Sequence, residues 1–296
     1  MQRHIKYTGP DLLFNGVLYA VSALILAVIV YPLYFIVIAS FSDPSAVSSG
    51  QVWVMPVGFT LDGYKALFAD SKIWRAYLNT IIYTGLGTFF SLAVCVFAAY
   101  SLSRKDLVFR KPLMLFFIIP MFFSGGLIPT FLTVREFGLY NNFWVMIMPF
   151  AVSIYHVIVA RTFFSTSIPE SLWESARIDG CGNLRFFFQM ALPLSNAIIA
   201  VLALWTAVGH WNAYFNALIY LREETLMPLQ IVLRNILITS QAQASMGTGE
   251  AAQIALRTAS LVKYGAIIVS TVPIMCVYPF IQMYFNQGVM IGAIKG

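Results

Sequence analysis

One short stretch of the sequence, ESARIDGCGNLRFFFQMALP, concentrates carboxylates and guanidinium groups beside glycines and three consecutive phenylalanines. It runs from Glu174 to Pro193 and lies between two long apolar segments. Groups of both charge signs at this spacing are suited to ion pairs and hydrogen bonds with a partner protein. We therefore predict that the stretch docks onto another molecule, and we predict no catalytic residue in it.

A short helix is predicted at the start of this stretch. Ser167 and Glu170 have the spacing of a reciprocal capping pair, and Pro169 suits a first turn, so the helix should begin near Ile168. Gly180 can adopt the left-handed conformation that ends a helix. The apolar positions recur about every four residues, whereas the other side of the helix is polar. This pattern is typical of a surface helix that docks into a partner, and the alternative is a solvated linker.

Two kinds of chemistry are missing from the sequence. No GxxxxGK(S/T) phosphate-binding loop occurs, so the chain cannot bind and hydrolyse ATP by that route. The cysteines have neither a metal-ligand spacing nor the pairing of a secreted disulfide framework; they are Cys95, Cys181 and Cys276. We therefore predict no metal site and no cofactor in this chain.

The composition places the chain in a lipid bilayer. Hydrophobic residues make up 59% of the 296 residues and charged residues only 10%, with a mean hydropathy of +0.79, which excludes an ordinary soluble domain. A helix needs about 20 apolar residues to cross the hydrocarbon. Six segments qualify as spans: 12–41, 76–101, 112–134, 142–165, 189–221 and 262–285. The predicted fold is all-α, a polytopic membrane protein with one domain over 1–296.

The density of lysine and arginine predicts the orientation of these spans. It is higher in the segments that lie inside if the N-terminus is cytoplasmic, and the basic cluster over 104–111 strengthens this bias. Both termini and the loop over 166–188 are then cytoplasmic, and the loops over 42–75 and 222–263 are outside. The formal net charge of +6 is a signal of topology and not of nucleic-acid binding.

The charged stretch also carries a recognisable motif, the EAA-x-x-x-G…I-x-L-P loop of bacterial ABC importer permeases. With two mild departures, at Ser175 and Met190, it is reproduced by Glu174, Ser175, Ala176, Gly180, Met190, Leu192 and Pro193. The stretches FFSGGLIPTFL, WNAYFNAL, TLMPLQ and GVMIGAIKG are similar to those of the carbohydrate-uptake, maltose-importer-like branch. They resemble the subgroup for complex oligosaccharides, such as pectin- or alginate-derived sugars. The resemblance covers nearly the whole chain.

The resemblance implies a type I, MetI-like permease fold and a set of contacts with an ATPase. The charged helix would be a coupling helix that fits a cleft on a cytoplasmic ATPase through Glu174, Ser175, Ala176, Arg177, Asp179 and Gly180. The C-terminal tail would reach the ATPase dimer interface through Gly292, Ala293, Lys295 and Gly296; an unstructured end is the alternative. ATP and Mg would then be held by the partner ATPase subunits.

The resemblance also implies an assembly in the bacterial cytoplasmic membrane. The chain would pair with a second, homologous permease in a heterodimer and with two ATPase subunits. An extracellular solute-binding protein would deliver the oligosaccharide. The outer loop over 222–263 has a flexible break at Gly247 and Gly249, and it would contact that binding protein through Gly247, Gly249 and Glu250; an exposed loop without function is the alternative.

A sugar path is predicted in the fifth span. Aromatic rings and amides, which suit the apolar faces and hydroxyls of sugars, gather there at His210, Trp211, Asn212, Tyr214 and Asn216. The alternative is that these side chains hydrogen bond between helices. We expect His156 to be a packing residue, and we expect the glycine pair over 125–126 with Pro129 to permit close packing or a break in the third span.

Two other functions stay open. One is an ABC importer permease for another solute, such as a peptide, an amino acid or phosphate. The other is a channel or carrier that works without ATP. Apart from residues at their ends, the spans contain no Asp, Glu, Lys or Arg, which counts against a proton- or ion-driven carrier because such carriers use buried ionisable groups as relays.

Overall fold

The computed structural model describes residues 9–246, 259, 261–277 and 279, and all regular structure within them is helical. The α-helices are α1 (Gly9–Ser40), α2 (Pro44–Ser48), α3 (Asp62–Ala69), α4 (Ser71–Ser103), α5 (Arg110–Phe122), α6 (Leu127–Glu136), α7 (Ile154–Ser167), α8 (Glu170–Ile178), α9 (Asn183–Phe186), α10 (Leu192–Leu194), α11 (Asn196–Trp211), α12 (Tyr214–Tyr220), α13 (Leu229–Met246) and α14 (Leu261–Val277). Short 3-10 helices cover Phe143–Met146 and Glu224–Leu226, and a π-helical turn covers Phe187–Ala191.

The described residues group into two units. The first takes residues from 1–69 and 236–269, and the second takes residues from 70–235 and 270–296. In the first unit, the Tyr31 hydroxyl donates to the carbonyl of Trp53 over 3.3 Å, and the Tyr34 hydroxyl donates to the carbonyl of Val54. The loop after α1 therefore folds back along that helix. The single domain predicted over 1–296 stays a prediction.

Helices α1 and α4 are each long and apolar enough to cross a membrane. They match the predicted spans 12–41 and 76–101. Most of the large apolar side chains of α1 are exposed, and so broad an apolar surface is stable only in lipid or against another protein. The predicted span 262–285 coincides with α14 as far as the chain is described.

The predicted third span is two helices rather than one continuous helix. Helices α5 and α6 meet at an angle of 116° across residues 123–126. Gly126 has a φ of 84°, which glycine adopts without steric cost. The Gly126 amide donates to the Ser124 hydroxyl over 3.1 Å, which satisfies this amide at the break. The break expected at the glycine pair is confirmed.

The predicted fourth and fifth spans are also interrupted. Residues 147–153 are not helical, because Pro149 lacks an amide hydrogen and disfavours helical backbone in the residue before it. In the fifth span the chain bends by 80° between the segments Asn183–Leu194 and Asn196–Trp211. Among the described residues, two helices and two bent pairs have the length and composition of spans.

One apolar core joins α4, α7, α8 and α11 within the second unit. Cys95 and Ala99 on α4, Val157 and Ala160 on α7, and Leu202 on α11 are all buried to 1% exposure or less. Small side chains at four of these positions let the helices approach closely, which is how helices associate when lipid removes the hydrophobic driving force between them.

Gly87 of α4 lies directly against the imidazole of His210 on α11. A Cβ atom added at Gly87 would lie 2.5 Å from both Cε1 and Nε2 of His210, which is well inside van der Waals contact. His210 therefore packs between two helices. His156 packs similarly: its ring lies 5.7 Å from that of Trp205, and its Nδ1 lies 3.4 Å from the Thr206 hydroxyl.

We expect the substitution Gly87→Ala to lower the free energy of unfolding by about 1–3 kcal/mol, the usual cost of adding a methyl group to a filled interior. Thermal unfolding of the purified protein in detergent measures this change. Gly85→Ala is the matched control on the same helix, because no atom lies within 4 Å of a Cβ added there. Equal unfolding temperatures for the two variants would contradict the packing of His210 against Gly87.

Candidate functional site

Helix α8 contains the predicted docking residues, but it begins later than predicted. Its N-cap is Pro169, which forms no side-chain cap, and the first helical residue is Glu170. Ser167 is instead the last residue of α7, and Ile168 between the two helices is extended, with φ −103° and ψ 108°. The predicted capping pair of Ser167 and Glu170 is wrong, because α7 continues far enough to include the serine.

The end of α8 follows the prediction. Asp179 is the C-cap, and Gly180 adopts a φ of 76°. The Gly180 amide donates to the Arg177 carbonyl over 3.0 Å, and the Cys181 amide donates to the Ala176 carbonyl over 2.8 Å. This pair of hydrogen bonds is the Schellman motif, which satisfies the last carbonyls of a helix and reverses the chain. Gly180 is therefore required by backbone geometry.

One side of α8 is anchored in the core of the second unit. Trp173, only 6% exposed, and Ala176 are buried in the same cluster as α4, α7 and α11. The Trp173 ring meets the ring of Phe186 edge-on, with centroids 5.0 Å apart, and the guanidinium of Arg104 lies 4.2 Å above it. The indole thus packs between Arg104, in the loop that follows α4, and Phe186 of α9. A displacement of α8 has to carry these elements with it.

The opposite side of α8 faces solvent. Of the predicted docking residues, Glu174, Ser175, Arg177, Asp179 and Gly180 are exposed, and only Ala176 is buried. The described residues include no ion pair to Glu174. The apolar side chain of Ile178 is 87% exposed on the same helix. An uncovered mixture of charge and apolar surface on a rigidly held helix is suited to a partner that buries it.

The predicted path residues are divided by a break in the helix. Trp211 ends α11 and Tyr214 begins α12. The Trp211 indole donates to the Ser270 carbonyl over 2.9 Å, so Trp211, like His210, holds helices together. Asn212 and Tyr214 are exposed. The side-chain amide of Asn212 donates to the Val208 carbonyl of the preceding helix over 2.9 Å. Asn216 is half-buried.

Two other sets of predicted contact residues lie outside the described residues. They are the tail residues Gly292, Ala293, Lys295 and Gly296, and the outer-loop residues Gly247, Gly249 and Glu250. Both sets stay predictions.

Sequence reasoning missed the contacts that hold the beginning of the loop after α12. Three side chains of α4 make hydrogen bonds of 2.7–3.1 Å to the backbone of the TLMPLQ segment, residues 225–230. These α4 side chains are Asn79, Thr80 and Tyr83. An ion pair between Lys72 and Glu224, 2.6 Å long, lies beside them. The amide of Asn79 within an apolar span was the available signal, because such side chains need a partner in lipid.

A comparison with protein families decides the class of this molecule. Residues 91–291, more than half of the chain, match the family described as the inner membrane component of binding-protein-dependent transport systems. The chain belongs to this family. Membership confirms the predicted all-α, MetI-like permease fold and a bacterial membrane protein.

Individual relatives agree with this assignment. The chain is 38% identical over 288 residues to the polygalacturonan/rhamnogalacturonan transport system permease protein YtcP of Bacillus subtilis, covering 96% of this chain and 99% of that protein. It is 37% identical over 270 residues to Protein LplC of the same organism, covering 91% and 90%. A crystal structure of a bacterial ABC transporter involved in the import of the acidic polysaccharide alginate matches with 31% identity, a TM-score of 0.85 and coverage of 95% and 99%.

The buried indole of Trp173 yields a direct prediction for the anchoring of α8. We expect Trp173→Ala to lower the free energy of unfolding by about 3–5 kcal/mol, because it leaves a large cavity in the core. Ile178→Ala is the control on the exposed side of the same helix and should change it by less than about 0.5 kcal/mol. Thermal unfolding in detergent compares the two. Similar losses in both variants would mean that α8 is not anchored by its buried side.

Proposed function

We propose that this chain is the permease subunit of an ATP-driven importer that takes up oligosaccharides by alternating access. It pairs with a second, homologous permease. Two ATPase subunits bind ATP and Mg and dock onto the cytoplasmic side, and an extracellular solute-binding protein delivers the sugar. The chain itself breaks no covalent bond.

The observation that carries this proposal is the two-sided construction of α8. Its buried side belongs to the same core as the membrane helices, and its exposed side presents Glu174 and Ile178. When the ATPase subunits close on ATP, they push on α8. The displacement is passed to α4, α7 and α11, because the buried side chains of α8 belong to the same apolar core as these helices. The spans then move together, and the path changes from an outward to an inward opening.

Contacts of α8 with the basic loop support the proposed orientation. Lys105 forms an ion pair with Glu170, and Arg104 lies over Trp173. The docking helix and the basic cluster over 104–111 are therefore on the same side of the membrane. Clusters of lysine and arginine close to spans favour the cytoplasmic side, so α8 and both termini are cytoplasmic in this proposal.

An acidic oligosaccharide is the proposed substrate. Two of the relatives that match over almost their whole length are named for polygalacturonan and rhamnogalacturonan transport and for alginate import. Of the predicted path residues, Asn212 and Tyr214 are exposed, His210 and Asn216 are half-buried, and Trp211 is buried. In the proposed importer, the C-terminal tail contacts the ATPase. The outer loop over 222–263 contacts the solute-binding protein.

Purification of the tagged chain from native membranes in a mild detergent, followed by mass spectrometry, tests the assembly. We expect a second permease and an ATPase to co-purify. Recovery of this chain alone, still folded, would mean that α8 docks on no ATPase and would contradict the proposal.

Gly180 gives the sharper test of coupling. A β-branched side chain in the left-handed region costs about 1–2 kcal/mol, so Gly180→Val should distort the end of α8 while the protein still inserts. We expect sugar uptake by membrane vesicles to fall by roughly tenfold, the rate equivalent of that strain. The ATPase activity should lose its stimulation by the sugar-loaded binding protein.

Gly182→Val is the matched control for this variant. Gly182 lies in the same turn but has an ordinary φ of −78° and ψ of 164°, which valine adopts readily, and no atom lies within 4 Å of an added Cβ. Uptake and stimulated ATPase activity should be close to those of the unmodified protein. Normal coupling in both variants would show that the turn at Gly180 does not matter for docking.

A further inference from the structure

A polar pocket of about 230 Å³ lies beside the beginning of α8. It is formed by the end of α4, the loop that follows it, the end of α7 and the first residue of α8. Its charged lining consists of the cations Arg104, Lys105 and Arg110 and the carboxylate of Glu170, three positive charges against one negative. The net positive lining favours an anion.

The cations are held in place by contacts that leave part of their hydrogen-bonding capacity free. Arg110 uses its Nε to donate to the Leu102 carbonyl over 3.0 Å, and Arg161 donates to the same carbonyl over 3.4 Å. A guanidinium group has five N–H donors, so the other nitrogens of Arg110 stay available to a ligand. Arg104 is positioned by its ion pair with Asp106 and by the ring of Trp173.

A buried hydroxyl provides an independent indication of a ligand. Tyr100 is only 8% exposed and lines this pocket. Its hydroxyl is buried and has no hydrogen-bond partner within the described part of the chain. Buried polar atoms without partners are rare in native proteins, and an unseen ligand is a common explanation. The hydroxyl is enclosed by protein atoms, so an anionic oxygen in the pocket would accept its hydrogen bond only after the Tyr100 side chain shifts towards the pocket.

An apolar groove adjoins the pocket and indicates the source of the anion. Lys105 and Arg110 line both spaces, and the groove continues along α5 past the side chains of Leu107, Phe109, Pro112, Met114, Leu115 and Ile118. Val108 and Phe109 in the loop are 71% and 73% exposed. A phosphate site that opens onto an apolar groove at the end of membrane helices matches a lipid better than a soluble anion.

We propose that the pocket binds the phosphate of an anionic phospholipid, with an acyl chain in the groove along α5. The assignment to the cytoplasmic leaflet rests on the orientation in the proposed function. The headgroup then lies next to Glu170, where α8 begins. The Arg110 guanidinium donates to its phosphate oxygens, and a shift of the Tyr100 side chain lets the hydroxyl donate as well.

Native mass spectrometry of the purified complex from mixed phosphatidylglycerol and phosphatidylcholine nanodiscs tests this site. We expect the unmodified protein to retain phosphatidylglycerol selectively. Arg110→Gln should reduce its retention by about fivefold, the effect of one cation near a lipid surface. Arg185→Gln is the control: it makes the same charge change on the same side of the membrane but outside the pocket, and retention should not change.

The variant Tyr100→Phe tests lipid binding with a substitution that should not disturb folding. This substitution removes only the hydroxyl without a partner, so it leaves the apolar packing of the ring intact. With a lipid in the pocket, retention of phosphatidylglycerol should fall by about tenfold, the loss of one hydrogen bond to a charged group. Unchanged retention in both Tyr100→Phe and Arg110→Gln would overturn the proposal, as would equal retention of the two lipids by the unmodified protein.

Inorganic phosphate distinguishes a lipid from a soluble anion. If millimolar phosphate displaced phosphatidylglycerol completely and bound as well in nanodiscs of phosphatidylcholine alone, the occupant would be a soluble anion and the lipid proposal would be wrong. Lipid retention requires no ATP and no sugar. A negative result therefore leaves the ATPase assignment intact, and a failure of the ATPase to co-purify leaves the lipid measurement valid.

Discussion

The burial of Trp173 is the contact on which the proposed mechanism depends. The indole lies between the Arg104 guanidinium and the Phe186 ring, so a helix of only nine residues is tied to the segments before and after it. A helix this short is not stable in water by itself, and its order comes from this packing. Rigid attachment on one side and an exposed surface on the other allow a soluble partner to move membrane helices.

In the bilayer, the membrane segments have no water to satisfy their backbone hydrogen-bonding groups. Backbone groups in lipid have to be satisfied internally, yet the third, fourth and fifth apolar segments are all interrupted. The interruptions are compensated locally: the Ser124 hydroxyl accepts from the Gly126 amide, and the Asn142 and Ser153 side chains accept hydrogen bonds from backbone amides of the helices they cap. Broken helices give a permease places where segments can bend without exposing polar groups to lipid.

Features that depend on a single residue and its neighbours could be predicted from the sequence. The end of α8 at Gly180 and the break at the glycine pair over 125–126 both follow from the freedom of glycine. The beginning of α8 was misplaced, because Ser167 suits a cap and a helix end equally and the length of α7 decides between them. The clamp on Trp173 joins residues far apart in the chain, and average hydropathy contains no information about it. The same holds for the contact of His210 with Gly87; the role of His210 in a sugar path stays a prediction.

A distance measurement between spin labels tests directly whether α8 moves together with the core. Labels at the exposed positions Ser171 on α8 and Ser101 on α4, in a protein whose three cysteines are replaced, report their separation by pulsed electron paramagnetic resonance. The complex would be compared without nucleotide and with ATP trapped. The account predicts the same distance in both states, because the two helices share one core. A distance that changes when ATP binds would show that α8 swings independently and would contradict the mechanism.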